Sequence, residues 1–199
     1  MSRGVMFRSR SRAVGREHHR ALELLERSLG YTRGALATVG ADRSGPTPCA
    51  GWSLADLLCH MNDGLDAFLE AAGGAVRVEV PRRPVSDLEA LQGKACHLLG
   101  VWSSPTPEYV VVGDHPVPSP LLVSAAALEI AVHGWDVGRA TGALPDLPDD
   151  LALALMPVAQ AVVLPEDRPD RFAAPRRTGQ TAGSADVLLG FLGRSRLDR

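Results

Sequence analysis

The chain has 199 residues, of which 45% are hydrophobic and 22% charged, a composition typical of one globular domain and not of a disordered protein. The formal net charge of −2 excludes a general nucleic-acid binder or membrane-surface binder, since both need a basic surface. The 3 cysteines are too few for a disulfide scaffold and suit a reducing cytoplasm. We therefore expect a cytoplasmic monomer or homodimer whose partner is a small molecule, with no nucleic-acid or membrane partner.

The N-terminal segment is strongly basic. Its first twenty residues carry arginines but a single acidic residue, Glu17, and they lack the apolar region of a secretory signal. We predict that residues 1–15 form a disordered basic head. The longest apolar run, residues 151–164, is too short for a membrane span and contains Pro157, so no membrane span is expected.

The first two predicted helices are joined by a loop rich in turn residues. Residues 16–39 show helical apolar spacing, weakened in the middle by Gly30 and Gly34. Ser53 and Asp56 have the spacing of a capping box, which predicts that the second helix starts there and runs to the Gly-Gly pair at 73 and 74.

A third and a fourth helix follow, with one strand between them. Ser86 and Glu89 form a second capping-box pattern and predict the start of the third helix. Residues 108–114 are the strongest strand candidate, and the proline-rich residues 115–120 are predicted to form a loop. The fourth helix is predicted over residues 120–140, with its end at Gly142.

The last part of the chain is less regular. A fifth helix is predicted from Asp149 or Asp150, kinked or broken at Pro157, and a short closing helix from Ser184. Residues 165–183 are polar and proline-rich, which predicts a loop. Four long helices with one lone strand indicate an all-α fold with at most a minor β element.

The fourth predicted helix carries the residues most suited to chemistry. It is apolar nearly all round, yet Glu129, His133 and Asp136 follow one another at i, i+4 and i+7 and so share one face. Because buried polar groups need partners, this face can hold a metal ion through Glu129 and His133. A buried hydrogen-bonded Glu–His or His–Asp pair without a metal explains the same spacing.

A metal site needs a third ligand, and we prefer His60 among the remaining histidines. It flanks the apolar stripe of the second helix, from where it can point between two neighbouring helices. His115, in the predicted loop, is a weaker candidate for cofactor binding near the pocket. The others are expected to be solvated or exposed, namely His18, His19 and His97.

The cysteines lack the spacing of a structural zinc site. Cys49, Cys59 and Cys96 are therefore interpreted as small, mostly buried hydrophobic residues. No cysteine is expected to have a histidine close enough to act as its base, and no serine lies in a nucleophile elbow. An internal nucleophile is therefore not expected.

Two motifs carry a family resemblance. TPCAGWSLADLLCHM (47–61) and LEIAVHGWDVGRATG (128–142) resemble the mycothiol-dependent maleylpyruvate isomerase family of the DinB/YfiT-like superfamily, especially its short actinobacterial metal-binding members. The resemblance covers residues 17–142, with a weaker echo at FLGR (191–194). It implies a DinB-like four-helix bundle over residues 16–142 and a short irregular extension, residues 143–199, that packs on it.

The resemblance also implies a divalent metal bound by His60, Glu129 and His133, the residues already preferred from their spacing. We expect Zn²⁺, with Fe²⁺ or Ni²⁺ as alternatives, and mycothiol or another low-molecular-weight thiol as cosubstrate. Asp136 is expected to orient His133 or a bound group, and Arg139 to hold an anionic group or simply to end the helix in solvent.

We thus predict an enzyme in which the metal activates the thiol for transfer to, or isomerisation of, a small electrophilic substrate. A metal-activated-water hydrolase or tailoring enzyme of secondary metabolism, and a non-catalytic metal-binding or metal-sensing module, are the alternatives.

Overall fold

The computed structural model describes residues 3–76, 88–143 and 146–195, with side chains from residue 14 onward. Within these ranges the chain forms six α-helices, one short 3₁₀ turn and one small sheet. The elements, in chain order, are α1 Arg3–Leu36, α2 Leu54–Ala71, β1 Ala75–Val76, α3 Leu88–Trp102, β2 Tyr109–Val112, β3 His115–Pro118, α4 Ser119–Thr141, α5 Asp149–Val162, the 3₁₀ turn Pro165–Asp167, and α6 Ser184–Phe191. The predicted all-α fold with a minor β element is confirmed.

Helix α4 lies at the centre of the molecule. It packs against α1, α2 and α5, and its residues 130–138 are all buried. Because other elements pack around α4, its sequence is apolar on nearly every face. Among the described helices α4 alone is long and apolar enough to cross a membrane, but 72% of that window is buried inside the protein, as in the core helix of a bundle.

The start of α2 is confirmed in atomic detail. The Ser53 side chain accepts a hydrogen bond from the Asp56 backbone amide, and the Asp56 carboxylate accepts one from the Ser53 amide at 3.0 Å. The end of α4 is confirmed as well, since Gly142 has a φ of 70° at the C-cap. The predicted cap at Ser86 lies outside the described residues.

Helix α1 differs from its prediction at its N-terminal end. It begins at Arg3, so most of the segment predicted as a disordered head has a helical backbone. Arginine is a good helix former, and extending an existing helix costs far less than starting one. As predicted, one helix continues through Gly30 and Gly34, where α1 packs against α4, and it ends at Leu36.

The predicted strand is β2, but the predicted loop after it was wrong. Residues His115–Pro118 form β3, which pairs antiparallel with β2. The sheet order β1-β2-β3 makes β3 an edge strand, where proline is tolerated because the missing N–H can face away from the ladder. Gly113, with a φ of 58°, allows the tight turn between them.

The C-terminal elements pack on one another and on the bundle. Helix α5 begins at Asp149 as predicted and continues unbroken through Pro157. It contacts α4 and α1, and α6 packs against α5. The predicted closing helix from Ser184 is confirmed as α6. This arrangement brings the segment after α6 back to the C-terminal half of α4, where Arg194 contacts Asp136.

Candidate metal centre

Helices α2 and α4 bring three side chains together. His60 Nε2 lies 2.7 Å from Glu129 Oε1. His133 Nε2 lies 3.1 Å from the same oxygen. One ligand atom from each residue lies within 4.8 Å of the other two, so a point exists within about 3 Å of all three. The three residues predicted as ligands therefore converge, and we call them the triad; that they bind a metal stays a prediction.

The donor set of the triad fits a divalent ion. Zinc binds imidazole nitrogen and carboxylate oxygen at about 2.0–2.2 Å, so neighbouring ligands of a tetrahedral site lie about 3.3 Å apart. The distances from Glu129 to the two imidazoles, 2.7 and 3.1 Å, are slightly shorter. Small side-chain movements would therefore suffice to admit an ion between them. Two imidazoles and one carboxylate would also leave a coordination position open.

Aromatic packing orients the two histidines. The imidazole rings of His60 and His133 are nearly perpendicular, with centroids 4.9 Å apart. Trp52 contacts the His60 ring edge-on at 4.9 Å and lies nearly parallel to the His133 ring at 6.5 Å. Trp52 directly precedes the cap of α2, so the well-defined start of that helix also positions the aromatic wall of the triad.

A chain of hydrogen bonds holds His133 through Nδ1, the ring nitrogen that faces away from Glu129 and His60. His133 Nδ1 lies 2.9 Å from Asp136 Oδ2, three residues later on α4. The Asp136 side chain is fully buried, and both of its oxygens accept hydrogen bonds from Arg194, at 2.9 Å from Nε and 2.7 Å from Nη2. An imidazole that donates Nδ1–H to a carboxylate presents its Nε2 lone pair in the opposite direction. In this protein that direction is toward Glu129 and His60.

The charges around His133 favour a cation. Burial alone would lower the pKa of His133, but the charge of Glu129 and hydrogen bonds with Asp136, Cys49 and Glu129 raise that pKa well above its usual value. Burial alone would raise the pKa of Glu129, but the charge of His133 and hydrogen bonds from His133 and His60 hold it well below the usual range. Two ionised carboxylates thus flank one imidazole, and positive charge is stabilised between them.

Asp136 is likewise held ionised. Burial opposes its charged form, yet the Arg194 guanidinium and the His133 imidazole lower the pKa of Asp136 strongly. The role expected for Asp136, orienting His133, is consistent with this geometry. Arg194 was not among the predicted site residues; the only signal for it in the sequence was the weak echo at FLGR, residues 191–194.

Cys49 also lies at this site, which the sequence analysis missed. Its Sγ lies 3.3 Å from Asp136 Oδ2, 3.9 Å from His133 Nδ1 and 3.5 Å from Arg194 Nη2. The expectation that no cysteine has a histidine close to it was therefore wrong, because residues 47–53 fold back over α4, although Nδ1 of His133 is already engaged by Asp136. Cys49, His133 and Asp136 form a second group with metal-ligand geometry. In that group, however, the charge of the Asp136 carboxylate is already balanced by Arg194. Cys96 is exposed, not buried as expected.

Other predicted residues lie elsewhere. Arg139 stacks over the Trp135 ring, with its guanidinium carbon 5.7 Å from the centroid. His115 is exposed in β3 opposite Val112, and no described contact joins it to the triad. His97 is exposed as expected. His18 was expected to be solvated but is half-buried, with Nε2 2.9 Å from the Trp102 carbonyl oxygen, because α1 packs along α3.

A cavity of about 290 Å³ lies between helices α1 to α4. Glu129 and His133 form part of its wall, so a molecule inside it would contact the triad. The side chains of His60 and Glu129 are 38% and 37% exposed, whereas that of His133 is only 9% exposed. The triad is therefore reachable from outside, while the residues that support it are enclosed.

Comparison with known proteins places these residues in a family context. The sequence matches the family described as mycothiol maleylpyruvate isomerase N-terminal domain over residues 22–138, a region that contains the whole triad and Asp136. Two uncharacterized proteins of Mycobacterium tuberculosis, from strains CDC 1551 / Oshkosh and ATCC 25618 / H37Rv, are each 32% identical over 167 residues. Each match covers 80% of this chain and 90% of the relative. No solved structure matches the chain significantly.

Proposed function

Since the chain belongs to the mycothiol maleylpyruvate isomerase N-terminal domain family, we propose that it is a divalent-metal-dependent enzyme acting with a low-molecular-weight thiol. The metal, for which Zn²⁺ is the first choice, is held by His60, Glu129 and His133. The thiol, mycothiol or a similar molecule, is activated for transfer to, or isomerisation of, a small electrophilic substrate.

The observation that carries this proposal is the convergence of the triad on one point. A divalent ion with open coordination positions supplies a Lewis-acidic centre that lowers the pKa of a thiol and thereby provides a strong nucleophile at neutral pH. Imidazole nitrogens and a carboxylate are suited to hold such an ion, and the charges that raise the pKa of His133 would also favour a cation that replaces the proton on its Nε2.

The residues around the triad have supporting roles in this proposal. Asp136 accepts a hydrogen bond from the Nδ1–H of His133 and so directs Nε2 toward the metal position. Arg194 keeps Asp136 ionised and fixes its orientation through both carboxylate oxygens. Trp52 packs against both imidazole rings and helps to fix their orientation.

Among the described side chains next to the triad, Cys49 offers an alternative nucleophile. Its thiol is within hydrogen-bonding distance of Asp136, and the nearest nitrogen of His133 is already engaged by the same carboxylate. His133 Nδ1 is therefore not free to accept a proton from Cys49. This arrangement favours an external thiol as the reacting sulfur.

The proposal is tested with cobalt-substituted protein. Titration with mycothiol, or with a shorter analogue containing its cysteine, is expected to produce a sulfur-to-cobalt charge-transfer band. The band should be absent in His60→Ala and retained in His97→Ala, a matched exposed histidine, and in Cys49→Ala. An unchanged cobalt spectrum at saturating thiol would contradict the thiol proposal and favour metal-activated water instead. Failure of the wild-type protein to bind cobalt or zinc would contradict the metal site itself.

A further inference from the structure

The cavity beside the triad has an apolar wall. Its inner surface also contains the polar Thr32 and Gln92, but it is formed mostly by aliphatic, thioether and aromatic side chains from all four bundle helices, including Leu36, Met61, Leu65, Phe68, Leu91 and Ile130. Among the described residues of the wall, the charged side chains other than the triad are Glu26 and Arg33, and both are exposed. The interior next to Glu129 and His133 is thus suited to hydrocarbon and poorly suited to a charged group.

Two helix-interior glycines help to keep this space open. Gly30 of α1 and Gly64 of α2 both line the cavity, and a Cβ built on either would meet no atom within 4 Å. No close helix contact therefore requires glycine at these positions. Glycine inside a helix costs about 0.5–1 kcal/mol relative to alanine. The missing side chains enlarge the cavity. This gain in space is a reason for glycine at both positions despite its low helix propensity.

From this wall we infer that the substrate is an uncharged, largely apolar molecule that lies in the cavity with its reacting end at Glu129 and His133. A cavity of about 150 Å³ accommodates benzene. The volume here, about 290 Å³, suits a molecule nearly twice that size, such as a bicyclic aromatic compound. The inference rests on the proposed function, because it names the substrate class of the same site.

The same wall disfavours a dicarboxylate such as the maleylpyruvate of the family's name. One carboxylate could approach a cation at the triad, but the second would lie among apolar side chains. Arg33 is the one arginine or lysine among the described wall residues, it is exposed, and Glu26 lines the same cavity. Removing an unpaired carboxylate from water is strongly unfavourable. The cavity therefore selects against a second negative charge.

The test measures binding to the metal-free, full-length protein, with 1-aminonaphthalene as an uncharged, bicyclic fluorescent probe. We expect saturable binding that maleate, a dicarboxylate, does not displace. Gly64→Leu, which fills the cavity, is expected to weaken probe binding by about tenfold or more. The matched control is Gly93→Leu, at a helix-interior glycine of α3 that also has no atom within 4 Å of a built Cβ but does not line the cavity. It should leave binding unchanged.

A second variant covers the case in which Gly64→Leu does not fold, as judged by circular dichroism. Ala95→Phe fills the cavity from α3 and should weaken the probe equally. No saturable binding to the wild-type protein, unaltered affinity in the folded filling variants, or displacement of the probe by maleate would each overturn the inference.

Zinc content, measured on the same samples after metal loading, separates the two proposals. Zinc binding without probe binding overturns the apolar substrate alone. Probe binding without zinc binding overturns the metal-dependent function alone.

Discussion

Thr32 of α1 lies directly against Gly134 of α4. A Cβ on Gly134 would come within 2.3 Å of Thr32 Oγ1 and 3.1 Å of its Cα. The same hydroxyl donates a hydrogen bond of 2.8 Å to the carbonyl oxygen of Ile130. The two helices thus touch nearly backbone to backbone, one residue after His133, and this contact sets the position of α4 relative to α1.

Gly134→Ala is therefore expected to destabilise the protein, although alanine is the better helix former. Overpacking a tight contact typically costs about 1–3 kcal/mol of unfolding free energy. Gly100→Ala, in α3 with open space around the built Cβ, is the control and should be neutral or stabilising. Urea denaturation of both variants measures the difference, and equal stability of the two would show that the contact is not constraining.

Arg194→Gln is expected to destabilise the protein more strongly, by about 3–5 kcal/mol, because it leaves the buried Asp136 carboxylate without its cation. The control is Arg171→Gln, which removes an arginine from an ion pair whose arginine side chain is 74% exposed. That change should cost less than about 1 kcal/mol. Chemical denaturation measures the free energy of unfolding of both variants. Similar losses would mean that the pair between Arg194 and Asp136 stabilises the protein no more than a surface ion pair does.

Asp136→Asn should weaken metal binding by about 10–100-fold, since the amide no longer provides the negative acceptor that orients His133. Cys49→Ala should leave metal affinity nearly unchanged if the ion lies at the triad. Competition with a zinc-sensitive chelator measures both affinities. A large loss in Cys49→Ala would instead place the ion among Cys49, His133 and Asp136, the second group with suitable geometry.

Metal removal should lower the melting temperature of the wild-type protein. An ion present at a hundred times its dissociation constant stabilises the folded state by about 2.7 kcal/mol. Glu129→Ala and His133→Ala should lose both the metal and this stabilisation while keeping their helical circular dichroism, because the apolar faces of the bundle are untouched. Differential scanning calorimetry with and without chelator tests this, and a chelator effect that persists in both variants would rule out the triad.

The parts of the site that were predictable are those encoded locally. Glu129 and His133 are one turn apart on one helix, and the cap at Ser53 is a four-residue pattern, so their geometry follows from helix periodicity. The apolar spacing of α2 does not show which flank of that helix faces α4. The prediction of His60 as a ligand therefore also depended on the family resemblance.

The parts that were missed depend on tertiary contacts. Arg194 pairs with a residue 58 positions away, and Cys49 approaches His133 across 84 positions, so no local pattern reveals either contact. The prediction of a loop over His115–Pro118 was wrong for another reason. Its prolines argue against a central strand, but the position of the strand in the sheet, which makes it an edge, is not visible in the residues themselves.

The Arg194 contacts also have a consequence for the order of folding. Arg194 reaches Cys49 across 145 positions, among the longest sequence separations of the described hydrogen bonds. The entropic cost of closing a loop rises slowly with its length, and contacts between distant residues tend to form late. The contact between Arg194 and Cys49 is therefore expected to form after the contact between His60 and Glu129, which spans only 69 positions. Docking of the loop at Cys49 against the segment after α6 would then be a late step of folding, which encloses Asp136 after the helices have assembled.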